Sequence, residues 1–231
     1  MNQFSVVFTI SGFLGWLWES VFCTLRQGQW ANRGFLFGPV CPIYGFGGII
    51  AYAIYKLCSA KILPHLSWWQ IFLAGFVVSM LLEYPTSFML EKLFHARWWD
   101  YSDVPLNING RTSVPTSVAF GIASIVIMRF IMPKLSWLIS AIPEWLIEGF
   151  SFVFTALIFV DVTLTVCALT DFQNRIKQFD ESFQNQITEE VTRLFSAESS
   201  IRFKAIKRIA VFKYPISEKI NTVKSTFIPW K

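Results

Sequence analysis

Charge is what this chain has least of. Only 15% of its 231 residues are Asp, Glu, Lys or Arg, against about a quarter in an ordinary soluble domain. A hydrophobic content of 54%, with 17% aromatic, argues further against a water-soluble globular fold. Histidine is nearly missing: His65 and His95 stand alone, in no metal-ligand spacing, which leaves zinc, haem or a serine triad without support. The four cysteines, Cys23, Cys41, Cys58 and Cys167, form no CxxC pair and read as buried thiols rather than metal ligands or disulfides. No GxxxxGK[ST] run occurs, so the chain carries no P-loop for hydrolysing ATP. Gly45, Gly47 and Gly48 lie in an apolar run with no strand before them and read as close helix packing, not as a phosphate loop. No cofactor is implied. The N-terminus lacks a basic n-region, and Gly12, Trp16, Trp18 and Glu19 interrupt any short signal core, so the first helix is expected to stay in the mature protein.

What charge there is lies unevenly. Residues 1–170 hold 9 Lys/Arg and 8 Asp/Glu, and the last 61 residues hold 11 and 7. Net charge therefore divides as +1 and +4 of the total +5. A basic segment directly after an apolar one suits anionic headgroups and cytoplasm, whereas nucleic-acid binding wants a basic patch on a soluble fold.

A spanning helix needs about 20 mostly apolar residues. Five segments meet that need: about 4–25, 40–58, 68–90, 114–132 and 145–169. The stretch 134–143, with Lys134, Trp137 and Pro143, is too short to span and reads as an interfacial turn. Tryptophans at 68, 69, 98, 99, 137 and 145 fall near segment ends, as an aromatic belt would. The expected fold is therefore all-α: a polytopic membrane domain over 1–170 with about five transmembrane helices, then a basic amphipathic cytoplasmic tail over 171–231. In that tail Phe172, Ile176, Phe179, Phe183, Ile187, Val191 and Leu194 recur every three or four residues, which makes an amphipathic helix. A basic amphipathic stretch follows at 199–214 and suits either docking on a membrane surface or partner, or an ordinary solvated helix.

Lys and Arg in short loops set orientation. One side collects Arg26, Arg33, Lys92, Arg97, Arg111, Arg175 and Lys177; the other collects Lys56, Lys61, Arg129 and Lys134. The larger set marks the cytoplasm, placing the N-terminus outside and the C-terminus inside the cell membrane.

Acids inside spans cost about 2.5–3.5 kcal/mol on insertion scales and so face protein rather than lipid. Glu19, Glu83 and Asp161 are of this kind, while Glu148 lies near a segment end. All three sit in odd-numbered segments, which end on the same side, and each lies roughly 9–12 Å inside that face at 1.5 Å per residue. The loops of that face are rich in bends and polar groups. Loop one runs Asn32-Arg33-Gly34-Phe35-Leu36-Phe37-Gly38-Pro39 into Cys41-Pro42-Ile43-Tyr44-Gly45, and loop three holds Trp98-Trp99-Asp100-Tyr101-Ser102 and Asn107-Ile108-Asn109-Gly110-Arg111. Arg33 and Arg111 are fork-shaped donors suited to carboxylate or phosphate. The candidate site is therefore Glu19, Arg33, Tyr44, Glu83, Asp100, Tyr101, Asn109, Arg111 and Asp161. A structural alternative is that the two arginines only neutralise Glu19, Glu83 and Asp100.

These residues carry a resemblance. Gly15-Trp16 with Glu19, Asn32-Arg33-Gly34-Phe35-Leu36, Gly38-Pro39, Cys41-Pro42-Ile43-Tyr44-Gly45, Glu83-Tyr84, Trp99-Asp100-Tyr101-Ser102 and Asn109-Gly110-Arg111 resemble a bacterial membrane family labelled putative ABC-transporter type IV, or putative ABC transporter permease. The likeness covers about residues 5–170. It implies transport across the cell membrane, with a separate ATPase subunit as the source of energy. From the residues alone two other readings stay open. One is a membrane enzyme on a lipid-linked or amphiphilic substrate, using Glu19 and Glu83 as an acid–base pair. The other is a non-catalytic partner or sensor that makes contact through its tail.

Overall fold

A computed structural model of the chain describes residues 2–182 and 211–212. Its helices are α1 (Asn2–Gln27), α2 (Pro42–Ser59), α3 (Trp68–Phe94), α4 (Val114–Val126), α5 (Met132–Ala141) and α6 (Glu144–Ser182), with a π-helical stretch at Ile127–Ile131 joining α4 to α5. Two short antiparallel pairings complete the described backbone. β1 (Ala96–Arg97) pairs with β4 (Val211–Phe212), and β2 (Asn107–Ile108) pairs with β3 (Thr112–Ser113).

Four helical stretches are long and apolar enough to cross a membrane: Asn2–Arg26, Trp68–Phe94, Val114–Ala141 and Glu144–Thr170. Their outward faces are apolar, with Trp18, Leu81, Phe152 and Phe159 exposed. Large apolar surfaces of this kind mark a protein whose solvent there is not water.

The third of these stretches corrects the expected turn at 134–143. Helix runs from Val114 through the π-helical stretch to Ala141. Pro133 lacks an N–H and would stop a regular helix, but it falls just after the wide π turn, where the backbone pairing is already shifted. Met132, Leu135 and Ile139 then face Val7, Tyr52 and Ile147 in one buried apolar cluster. The three- and four-residue spacing there is that of a packed helix face. The tryptophan belt needs a similar correction. Trp68, Trp69, Trp137 and Trp145 are exposed, whereas Trp98 is buried and the Trp99 indole donates to the Arg111 carbonyl.

The second expected span, α2, is not among the four, and its neighbours explain why. Cys41 N–H donates to the carbonyl of Gly12 at 2.9 Å, so α2 starts beside the middle of α1. Residues 28–41 lie back along the C-terminal part of α1 and take up the rest of that length as irregular chain. From there α1 and α2 run antiparallel, with Phe8 against Gly45, Ser11 against Gly48 and the Tyr52 hydroxyl donating to Gln3. Of the three glycines read as packing residues, Gly45 and Gly48 make that close approach, while a Cβ on Gly47 would meet only Leu82, at 3.8 Å. α3 and α4 form a second antiparallel pair, Gly75 meeting Gly121 and Ser124, with Ser124 Oγ donating to the Ile71 carbonyl. The Phe35 ring of loop one packs at an angle against Phe94 and edge-on against Trp98, which brings loops one and three together at one end of the bundle.

α6 continues without a break across 170 to Ser182. The rest of the expected amphipathic helix, and the basic stretch at 199–214 apart from the backbone of 211–212, lie outside the described residues.

A methyl group added at Gly48 would sit 2.1 Å from Ser11 Oγ, while one at Gly149 meets nothing within 4 Å. Gly48→Ala is expected to destabilise the chain by about 1–3 kcal/mol through overpacking. Gly149→Ala should be neutral or stabilising by up to about 1 kcal/mol, because alanine favours helix. Thermal unfolding of both variants in detergent checks the contrast.

Candidate functional site

Loop one is irregular chain folded against apolar helices, so its backbone donors need partners other than water. Side chains of the flanking helices supply them. Ala31 N–H donates to Thr24 Oγ1 at 3.1 Å, and Arg33 N–H donates to Ser20 Oγ at 3.3 Å. Asp161 of α6 accepts two successive amides, Phe37 N–H on Oδ1 at 2.9 Å and Gly38 N–H on Oδ2 at 2.7 Å. Gly38 must be glycine for this approach, since a Cβ there would lie 2.7 Å from Asp161 Oδ2. Asp161 is thereby an anchor for loop one, and its further bond comes from Thr165.

Loop three is built as a brace. Asn109 and Gly110 have φ of 54° and 69°, the left-handed pair that an Asn-Gly hairpin turn requires, and Arg111 N–H closes the turn on the Ile108 carbonyl. Asp100 Oδ1 accepts from Ser102 N–H and Oγ, a side-chain-capped turn, and lies 3.7 Å from Arg97 Nη1. Glu91, near the end of α3, ties the loop down: one of its oxygens, Oε2, pairs with Arg97 Nε and with Arg111 Nη2. Arg111 is only 9% exposed and stacks its guanidinium over the rings of Tyr84 and Phe88, at 5.6 and 5.3 Å. Asn109 Nδ2 donates to the Tyr84 hydroxyl.

Between the two loops lies a separate constellation. Glu83 is 6% exposed. Its Oε2 accepts from Thr112 Oγ1 at 2.7 Å and its Oε1 from the Tyr101 hydroxyl at 3.3 Å. Glu19 accepts from the Tyr44 hydroxyl at 2.5 Å and lies within electrostatic reach of Glu83. Burial, reinforced by the carboxylates of Glu83 and Glu19 and opposed by Arg33, holds the Tyr101 phenol well above its ordinary pKa. Tyr101 therefore stays an O–H donor at any pH the protein meets. Arg33 reaches this group from loop one, where its Nε donates to Cys23 Sγ at 3.1 Å. Cys23 and Cys41 are buried, Cys58 is half-buried and Cys167 exposed.

A family model described as putative ABC-transporter type IV matches residues 6–166. The chain belongs to that family. The matched span takes in both loops and all nine candidate residues, and it stops before the segment read as a tail. Searches among curated proteins and among solved structures returned no match. Family and apolar helices agree on a membrane protein of ABC-transporter type.

The nine candidate residues of this family member thus fall into three groups. Glu19, Tyr44, Glu83 and Tyr101 come together, with Arg33 at their edge. Asp100, Asn109 and Arg111 belong to the loop-three brace. Asp161 holds loop one. Sequence reasoning passed over Thr112, Glu91 and the pair Ser20 and Thr24. Glu91 was visible in principle, two helical turns beyond Glu83 and so near its face, and the Asn-Gly pair announced a hairpin that carries Thr112 inward.

Asp161→Ala leaves two amides without their acceptor, at about 1–3 kcal/mol each, and Asp161→Asn should recover part of that loss because one amide oxygen remains. Lower thermal stability and faster thiol labelling of buried Cys41 in the alanine variant would bear this out; unchanged labelling would remove Asp161 as the anchor. Glu91→Gln weakens the partner of two buried guanidinium groups and is expected to cost about 3–5 kcal/mol, read from the same unfolding curves.

Proposed function

We propose that this chain is the membrane-spanning permease component of a transport system, and that its substrate site is the constellation of Glu19, Tyr44, Glu83 and Tyr101. In this reading the chain makes five passes, residues 28–59 forming the second as irregular segment plus α2, with the N-terminus outside and the C-terminus in the cytoplasm of the cell membrane. The chain's own sequence has no P-loop, so a separate ATPase subunit supplies the energy.

The observation that carries the proposal is Glu83. A carboxylate 6% exposed, within an apolar helix and bonded among the described residues through the hydroxyls of a polar loop, is costly to keep and marks a path for polar cargo. Its link to loop three supports a gating part for that loop, because movement of Tyr101 and Thr112 would uncover the carboxylate. Arg33 stays as a residue that orients cargo at the rim. Arg111, engaged by Glu91 and two rings, and Asp161, engaged by loop one, serve the site by holding its walls.

The test is reconstitution. In liposomes, alone and with an ATPase co-purified from the native membrane, the wild type is expected to move a solute from a mixed panel of labelled sugars, amino acids and inorganic ions. Glu83→Gln, checked for folding by its unfolding curve, should reduce that flux to the leak of empty liposomes. Normal flux in the folded variant would remove Glu83 from the path.

A further inference from the structure

The hydrogen bonds to Glu83 come from oxygen donors, and among the described residues no ion pair reaches it. The groups that face it can be named element by element: Glu19 from α1, backed by Tyr44 of α2; Tyr101 from loop three; and Arg33 of loop one, whose charge is felt at Tyr101. The charged group acting directly on Glu83 is another carboxylate. The arginines of loop three are drawn off to Glu91 and Asp100.

A second observation lies on the seam between α3 and α4. Ser87 follows Glu83 by one turn on the same face of α3, and Ser117 stands one turn before Gly121, which packs on Phe72 of α3. They are 3% and 0% exposed, yet neither hydroxyl has a hydrogen-bond partner among the described residues. Buried hydroxyls left open in both roles, donor and acceptor, are rare and call for a function. Ser79, also buried, lies one turn to the other side of Glu83, its hydroxyl donating to the Phe76 carbonyl. Hydroxyls thus stand one turn to either side of the carboxylate on α3.

From this arrangement we infer that Glu83 is a proton-binding site, and that a proton is the charge this seam is built to accept. A metal ion fits less well. Hard cations want about six oxygens, several of them anionic, and among the described residues no group of three or more His, Cys, Asp or Glu stands together. A proton needs one oxygen. Delivered to Oε2 by hydronium, which is left as water, it breaks one O–H bond and forms another, and it turns the Thr112 contact round: the carboxyl donates, Thr112 Oγ1 accepts, and the Thr112 hydroxyl proton is free to find another acceptor. No electron moves and no other covalent bond changes. Glu19, held by Tyr44 at the same end of the bundle, is the neighbouring carboxylate through which the proton exchanges with the loop face. This inference takes the site from the transport reading but does not need flux to be measured.

The full chain in liposomes is examined by infrared spectroscopy as the buffer is stepped from alkaline to acid, in water and in heavy water. A protonated-carboxyl band that appears on acidification and shifts in heavy water is expected. It should be lost in Glu83→Gln, persist in Glu144→Gln at the exposed start of α6, and change frequency but not vanish in Thr112→Val, which keeps the carboxyl and removes its hydroxyl partner. A wild type with no such band, or a band indifferent to both Glu83→Gln and Thr112→Val, overturns the inference. So does stabilisation of the wild type by sodium or potassium ions in place of the band. A trapped pH dye read alongside separates the two proposals: the band without proton or solute movement keeps the proton site and defeats the transport reading, while solute movement without the band does the reverse.

Discussion

Two amide N–H groups, those of Phe37 and Gly38, meet one carboxylate, that of Asp161, and much of the bundle follows from that meeting. Irregular backbone against apolar helices is tolerated only where its donors are satisfied by protein. Loop one satisfies that condition through Asp161, Ser20 and Thr24, and its position in turn fixes where α2 begins. Were it extended at the bundle end instead, α2 would slide along α1, and the fit of Gly45 to Phe8 and Gly48 to Ser11 would be lost. The same placement sets Tyr44 opposite Glu19 and carries Phe35 onto Phe94 and Trp98, so loop three packs on a surface that loop one makes.

Loop three answers with a different device. Glu91 gathers Arg97 and Arg111, the two rings of Tyr84 and Phe88 cover the Arg111 guanidinium, and an Asn-Gly turn points Thr112 inward. Strong charges thereby neutralise one another at the rim. Glu83, on the same helix as Glu91, and Glu19 of α1 are left with phenols and hydroxyls. That separation of charge-paired brace from hydroxyl-lined carboxylates is what makes Glu83 chemically distinct from Asp161. Both are acids on apolar helices, but Asp161 meets fixed amide donors of the backbone, while Glu83 meets hydroxyls that can reverse their role.

The apolar spans were legible because hydropathy and length are local properties, and α1, α3 and α6 begin within two residues of their expected starts. Helix parity also brought loops one and three to a common end. Lys134, Trp137 and Pro143 misled over the 134–143 stretch, which is helical as far as Ala141, because Pro133 follows a π turn without the conflict it would cause in a regular helix. Asn109 and Asp100 were read as binding groups, and each also shapes a turn of its own loop.

By itself the sequence determined that this is an apolar helical membrane chain, that its buried acids face protein, and that its polar loops share one end. Family membership was legible too, from the short runs that carry the resemblance. Only the tertiary structure decided which partner each acid received. Depth along a helix follows from counting residues at a fixed rise, but partnership depends on the rotation of each helix and on how far neighbouring chain folds back beside it. Those are set by contacts such as Ser11 with Gly48 and Cys41 with Gly12, between residues 37 and 29 apart, and no local pattern contains them.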